Sequence, residues 1–260
     1  MERATVPWGG FAVRWLVGDI HGCACTFDAL LNAIEFDAAR DRLWCLGDLV
    51  HKGPDSLGVL RRWADLDGRT VLGNHDAKVI RHWREGDDQG KADLERLFEA
   101  PDASSLLSRL AAEPLLTELP GGVEDETIWL VHAGLHPAWS ALSDVAETLN
   151  GGDRSDPAWW VEEPRVFAMN ARCCLPDGRR VRFTGAPGGC PGDSKPWDRY
   201  YGGASTIVHG HWAVRGAHRT GRVVGLDAGC VYGGALVAWC PEDDRFVRVP
   251  VRDAVDEASG

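Results

Sequence analysis

The chain has 260 residues, is 44% hydrophobic and carries a formal net charge of −11, with eight cysteines and twelve tryptophans. That apolar content supports a sizeable core and excludes a disordered chain except at its ends, while the acidic balance argues against general affinity for a nucleic-acid backbone. No apolar run approaches the roughly 20 residues needed to span a bilayer, and the N-terminus lacks an export signal, so we expect no membrane partner and a cytoplasmic protein.

Met1 to Gly10 reads as a loose leader, and Phe11 to Val17 as a buried strand that delivers Asp19 and His21 to its C-terminal edge. Residues 25 to 36 have helical spacing (Phe27, Leu30, Leu31, Ile34), and Arg42 to Asp48 repeats the opening design of apolar strand, glycine and acid. Asp55 to Leu66 is predicted helical, with Asp55 or Ser56 as N-cap, and Thr70 to Asp76 is a third strand ending in Gly73-Asn74-His75. This β-α-β-α-β alternation predicts a largely parallel sheet with its polar ends on one edge.

Ala77 to Leu119 is predicted mostly helical, broken at Gly86, Gly90, Pro101 and Pro114 and ending at Pro120-Gly121-Gly122. Thr127 to Gly134 is a fourth strand, ending at His132; Pro137 to Asn150 and Trp159 to Met169 read as helices, Arg180 to Thr184 as a strand, and Ala186 to Pro196 as a surface loop. Ser205 to His211 is the fifth strand end. Arg222 to Leu226, Val231 to Cys240 and Arg245 to Val251 predict antiparallel closing strands, and Asp253 to Gly260 a frayed tail. No linker or repeat divides the chain, so one domain over 11–251 is expected. The cysteines lack C-x-x-C spacing, and most read as reduced, semi-buried residues rather than a disulfide frame or zinc site.

Five strand ends thus carry Asp19 and His21, Asp48, Asn74 and His75, His132, and His209 and His211. The carboxyl edge of an α/β sheet is where ligands bind, and packing alone does not call for Asp, Asn or His at five such ends. Carboxylate, imidazole and amide donors without thiolate suit Mn, Fe, Zn or Co. Six ligands are too many for one catalytic ion, but two ions about 3.5 to 4 Å apart, bridged by a carboxylate, use them all. Such a pair can deprotonate a water and hold phosphoryl oxygens in line, which is the chemistry of phosphate ester or anhydride hydrolysis. It also supplies the positive charge a polyanionic substrate needs in an acidic protein.

Val17 to Gly22, Gly47 to Gly53, Gly73 to Asp76, Val131 to Gly134 and Gly210 to Trp212 together resemble the ordered motifs of the calcineurin-like metallophosphoesterases, in the phosphoprotein phosphatase branch. Within it, Leu43 to Ser56, Leu97 to Leu116 and Leu226 to Gly234 resemble the symmetrical bis(5'-nucleosyl)-tetraphosphatases. The resemblance implies a mixed α/β fold in which a central β-sandwich of two mixed sheets is flanked by helices, and a helical, cap-like segment at about 77–119 that narrows the site toward small molecules. It implies Asp19, His21 and bridging Asp48 on one metal, and Asp48, Asn74, His132 and His211 on the other, manganese being favoured. His75 becomes the general acid, and His209 a partner of the ligands rather than a seventh one.

The implied reaction is symmetrical hydrolysis of dinucleoside polyphosphates, diadenosine tetraphosphate giving two ADP, by metal-activated hydroxide. The partner is then a small nucleotide, and extensive nucleic-acid binding is not expected. The alternatives are a serine/threonine protein phosphatase acting on phosphoproteins, and a metal-binding scaffold that no longer catalyses; the full ligand set argues against the latter. The chain departs from the branch at His51-Lys52, where protein phosphatases carry Asp-Arg. Lys52 keeps the charge without the bidentate fork, and His51 is read as a solvated loop residue. Asn170 stands where an arginine is expected before Cys174-Leu175-Pro176-Asp177-Gly178, which leaves Arg172 as the candidate phosphate clamp beside Lys52.

Overall fold

The computed structural model describes residues 13–119 and 126–254. The leader, the turn at Pro120-Gly121-Gly122 and the end of the polar tail lie outside these residues. Trp15-Leu16-Val17 is apolar without alternation because it is covered on both faces. It forms β1 (Arg14–Val17), every residue of which is buried. β1 runs parallel to β2 (Arg42–Cys45), which runs parallel to β3 (Arg69–Thr70). Between them lie α1 (Ala24–Ala33) and α2 (Ser56–Asp65). The Asp55 side chain accepts the Gly58 N–H at 3.0 Å, so Asp55 is the N-cap of α2.

β3 is shorter than the sequence suggests. The chain leaves the sheet after Thr70, and α3 (Asn74–Glu85) begins at Asn74, so Asn74 and His75 lie on the first turn of a helix. The 77–119 segment continues with α4 (Ala92–Glu99) and α5 (Ala103–Ala112), broken near the expected glycines and prolines. Its end is not helical: Pro114 stops the helix, and β4 (Leu116–Glu118) pairs antiparallel with β5 (Ile128–Val131). α6 (Leu142–Asn150) starts only at Leu142, and the 159–169 stretch divides into one turn at Pro157–Trp160 and α7 (Glu163–Asn170).

β6 (Cys173–Cys174), β7 (Arg180–Val181) and β8 (Lys195–Pro196) form a small sheet. The loop before β8 folds back over β6 and brings the Cys173 and Cys190 Cα atoms to 5.9 Å, where the two are disulfide-bonded. This pair departs from the expectation of reduced thiols, which holds for the other six; of those, Cys25 alone is exposed. β9 (Thr206–His209) is followed by β10 (His218–Thr220), whose His-Arg-Thr sequence carries no apolar pattern, and by β11 (Val223–Gly225), β12 (Ala235–Cys240) and β13 (Arg245–Pro250). β12 and β13 are antiparallel as expected, but β11 runs parallel to β9.

Two five-stranded mixed sheets result, ordered β13-β12-β1-β2-β3 and β10-β11-β9-β5-β4. They pack face to face through Leu16, Trp44, Leu46 and Val237 from one and Leu130, Val208, Val224 and Leu226 from the other. The alternate residues, among them Trp15, Val17, Leu43 and Cys45, join the outer core with Phe27, Leu30 and Trp63 of the helices. The tail is not loose at its start. Asp253 accepts hydrogen bonds from the Cys25 N–H at 3.0 Å and from the Thr26 N–H and hydroxyl at 2.9 and 2.5 Å, which ties it to the first turn of α1.

Candidate metal centre

The C-terminal ends of β1, β2, β5 and β9 and the N-terminus of α3 meet at one edge of the sandwich. Asp19, His21, Asp48, His132 and His211 are buried there, and their ligand atoms fall into two groups that share Asp48. One group is Asp19, His21 and Asp48; the other is Asp48, His132 and His211. Asp48 Oδ1 accepts the His75 N–H at 2.8 Å. Its Oδ2 lies between two imidazoles, 3.5 Å from His21 Nε2 and 3.4 Å from His132 Nε2. Asn74 Oδ1 adds a neutral oxygen 3.2 Å from His132 Nε2.

Strained backbone aims these side chains. His21, Asp48 and His211 adopt left-handed φ values of 52°, 52° and 69°, at a cost of about 1–3 kcal/mol each. Two strand-end glycines admit the carboxylates. A Cβ at Gly73 would meet Asp48 Oδ1 at 2.0 Å, and one at Gly210 would meet Asp19 Oδ1 at 2.0 Å. Asp76 holds the β2 loop by accepting N–H groups from Asp48 and Leu49 at 2.7 and 2.9 Å and from Gly73 at 3.0 Å. Burial, then the Asp48 charge, raises the Asp76 pKa to about 7.

These donors fit divalent cations. His132 Nδ1–H donates to the Leu46 carbonyl at 2.6 Å, which directs Nε2 at Asp48. His211 Nε2 is buried without a hydrogen-bond partner. Burial pushes Asp19 well above the usual carboxylate range, and Asp227 adds to the push. Burial opposes the charged form of Asp48 too, but His132 and His75 outweigh it and hold Asp48 well below that range. For His132, burial likewise opposes the charge, and Asp48 and Asp19 overcome it to lift the pKa to about 10. Concentrated buried carboxylate is costly unless a cation shares it.

A cleft of about 600 Å³ opens on this edge, lined by His21, Asp48, Asn74, His75 and His211 on one side and by Lys52, Arg172, Trp212, Asp227 and Tyr232 on the other. Arg172 donates to the His211 and Phe183 carbonyls at 3.0 and 3.3 Å, and its Nε is buried and unpartnered. Lys52 Nζ lies over the Tyr232 ring, 4.4 Å from its centroid, and hydrogen-bonds to the Tyr232 hydroxyl. His75 faces the cleft with its ring edge-on to His21, at 4.9 Å between centroids, and burial lowers its pKa to about 2. His209 joins neither ligand group and packs against Trp197 and His218 instead.

Three features depart from the sequence reading. His51 is buried, 4% exposed, and stacks on His75, because the loop after Asp48 turns back through left-handed φ values at His51 and Lys52. No residue of 77–119 lines the cleft, since α4 and α5 pack on α2 and α3. Asp227 is a buried cleft residue whose pKa burial raises to about 6. Its signal lay in Val223-Val224-Gly225-Leu226, another apolar run that ends in an acid.

Residues 14–215 match the calcineurin-like phosphoesterase family. The chain is 38% identical over 268 residues to a symmetrical bis(5'-nucleosyl)-tetraphosphatase of Nitrosomonas europaea, covering 91% of this chain and 97% of the relative. It is 37% identical to that of Aeromonas salmonicida, covering 90% and 96%. A crystal structure of a candidate diadenosine tetraphosphatase superposes with a TM-score of 0.70 at 29% identity, covering 96% of this chain and 98% of that one. A protein serine/threonine phosphatase of Saccharomyces cerevisiae shares the fold at 14% identity, with a TM-score of 0.53.

Proposed function

The chain belongs to the calcineurin-like phosphoesterase family, and on that premise we propose that it hydrolyses dinucleoside polyphosphates symmetrically, converting diadenosine tetraphosphate to two ADP. The observation that carries the reading is the pair of ligand groups sharing Asp48 at the wall of a cleft. Asp19, His21 and Asp48 would hold one divalent ion, and Asp48, Asn74, His132 and His211 the other. Manganese is favoured for this oxygen and nitrogen donor set. Bound there, the ions supply Lewis acidity toward phosphoryl oxygens and water. The acidic chain, net charge −11, otherwise offers a tetraphosphate only local cations; Arg172 and Lys52 line the cleft and would grip it.

His75, beside Asn74 and facing the cleft, is the general acid that protonates the departing nucleotide oxygen. Among the described residues no helix is long and apolar enough to cross a membrane, and we place the protein in the cytoplasm, acting on a small nucleotide rather than a phosphoprotein. The test is turnover by the Mn-loaded chain of diadenosine tetraphosphate, a phosphopeptide and a simple phosphodiester. Preferential cleavage of the dinucleotide is expected; equal or better phosphopeptide turnover would favour the phosphatase alternative.

A further inference from the structure

His51 takes the place of a carboxylate behind His75, and the contacts around it reverse the direction of hydrogen bonding that a carboxylate would impose. His51 Nδ1 lies 2.5 Å from His75 Nδ1, and His51 Nε2 lies 2.5 Å from Lys91 Nζ. An ammonium has donors and no acceptor, so Lys91 donates and His51 Nε2 accepts. A neutral His51 then carries its proton on Nδ1 and donates it to His75. His75 Nδ1 must therefore be the acceptor, which puts the His75 proton on Nε2. Burial favours the neutral form of His51, and the charges of Lys91, then Lys78 and Lys52, add to it.

The arrangement is braced. His51 N–H donates to Ser56 Oγ at 2.8 Å; Ser56 in turn donates through N–H and Oγ to Asp93 at 2.8 and 2.5 Å. Lys91 is the N-cap of α4, two residues before Asp93, so the helix that fails to roof the cleft buttresses its acid instead.

We propose that Lys91, acting through His51, is a positioning residue that fixes the proton of His75 on Nε2, toward the leaving oxygen, and offsets its loss at Nδ1 during turnover. As the leaving oxygen takes the Nε2 proton, the His51 Nδ1 proton passes to His75 Nδ1 and a Lys91 Nζ proton passes to His51 Nε2. One O–H bond forms, both imidazoles end neutral with their tautomers exchanged, and Lys91 ends as an amine; the relay resets when His75 Nε2 takes a proton from water and the two inner protons run back to restore the Lys91 ammonium. The proposal rests on the general-acid reading of His75.

The experiment pairs Lys91→Met with His75→Asn in the full metal-loaded chain. Lys91 is exposed, and melting curves verify that its variant folds. Lys91→Met is expected to lower kcat on diadenosine tetraphosphate about tenfold to hundredfold, less than the roughly 10²–10⁴-fold that the general acid itself supplies, with KM within about twofold. Nitrogen-15 spectra of the zinc-loaded parent are expected to show His75 as the Nε2–H tautomer, and those of Lys91→Met to lose that signature. A kcat within about twofold of the parent, beside an inactive His75→Asn, would overturn the relay and leave the general acid standing. Full activity of His75→Asn would overturn the reading beneath it. An Nδ1–H tautomer in the parent overturns the relay whatever the variants do.

Discussion

Asp48 carries one carboxylate into two sets of neighbours, and it does so with its oxygens divided: Oδ1 is spent on the His75 backbone, while Oδ2 sits between His21 and His132. Asp48→Asn keeps the volume and the Oδ1 acceptor but removes the one negative charge shared by the two ligand groups. Metal content, measured by plasma mass spectrometry, should fall from two ions per chain toward one or none. kcat should fall by about 10²–10³, the size of one preorganised electrostatic element. Two ions retained with kcat near the parent's would remove Asp48 from its bridging place. His132 and Asp19 were readable as candidates because each follows an apolar run and is followed within two residues by a glycine or a second ligand. His51 was not readable: its burial depends on a left-handed turn and on Lys91, forty positions away in the chain.

The elements that hold the site are loops and helix starts fastened by buried side chains rather than by regular pairing. Asp76, on the first turn of α3, satisfies three backbone N–H groups from the β2 loop and the start of its own helix. Asp76→Ala leaves them buried and unpaired, at a cost of about 3 kcal/mol or more, which urea unfolding of the metal-loaded protein would register as a lowered midpoint with an unchanged slope. Beyond β8, Asp198 on the turn Trp197–Tyr200 makes a two-pronged pair with Arg215 at 2.9 and 2.7 Å, pinning the turn after His211. Burial opposes the charged Asp198, but the Arg215 hydrogen bonds win and hold its pKa below the ordinary value. A depressed folded pKa contributes stability above the unfolded value of about 3.9, lost as pH falls through the folded one. Asp198→Ala should therefore be less stable than the parent by about 3 kcal/mol near neutrality, with the gap narrowing below about pH 4. A gap independent of pH would contradict this.

The same distinction explains which elements were legible. Strands β1, β2, β5 and β9 announce themselves as unbroken apolar runs because both faces are covered. β4 and β10 do not, being three-residue edge strands whose pairing partner supplies the order. The Cys173–Cys190 bridge was hidden because only the folded loop brings residues 17 apart in the chain together. Asp227 is hard to read for a related reason: its strand, β11, is only three residues long, and its position in the cleft depends on pairing with β9.

At the scale of the molecule, two sheets present their carboxyl edges to one cleft, and the buried charge gathered there sits in a chain that is already acidic. Asp19, Asp48 and Asp227 are each buried, and their mutual repulsion and desolvation are relieved by bound cations. Dialysis against a chelator should lower Tm, and restoring manganese should raise it again; at about 100 times Kd the gain is about 2.7 kcal/mol. An unchanged Tm would mean that the cluster is satisfied without ions. The central claim is hydrolysis at the middle of a tetraphosphate by a two-metal centre, and its most direct measurement is mass spectrometry of the products formed from diadenosine tetraphosphate in water enriched in oxygen-18. The account predicts ADP as the sole product, with one of each ADP pair carrying a single heavy oxygen on its terminal phosphate; ATP with AMP, or unlabelled ADP, would contradict it.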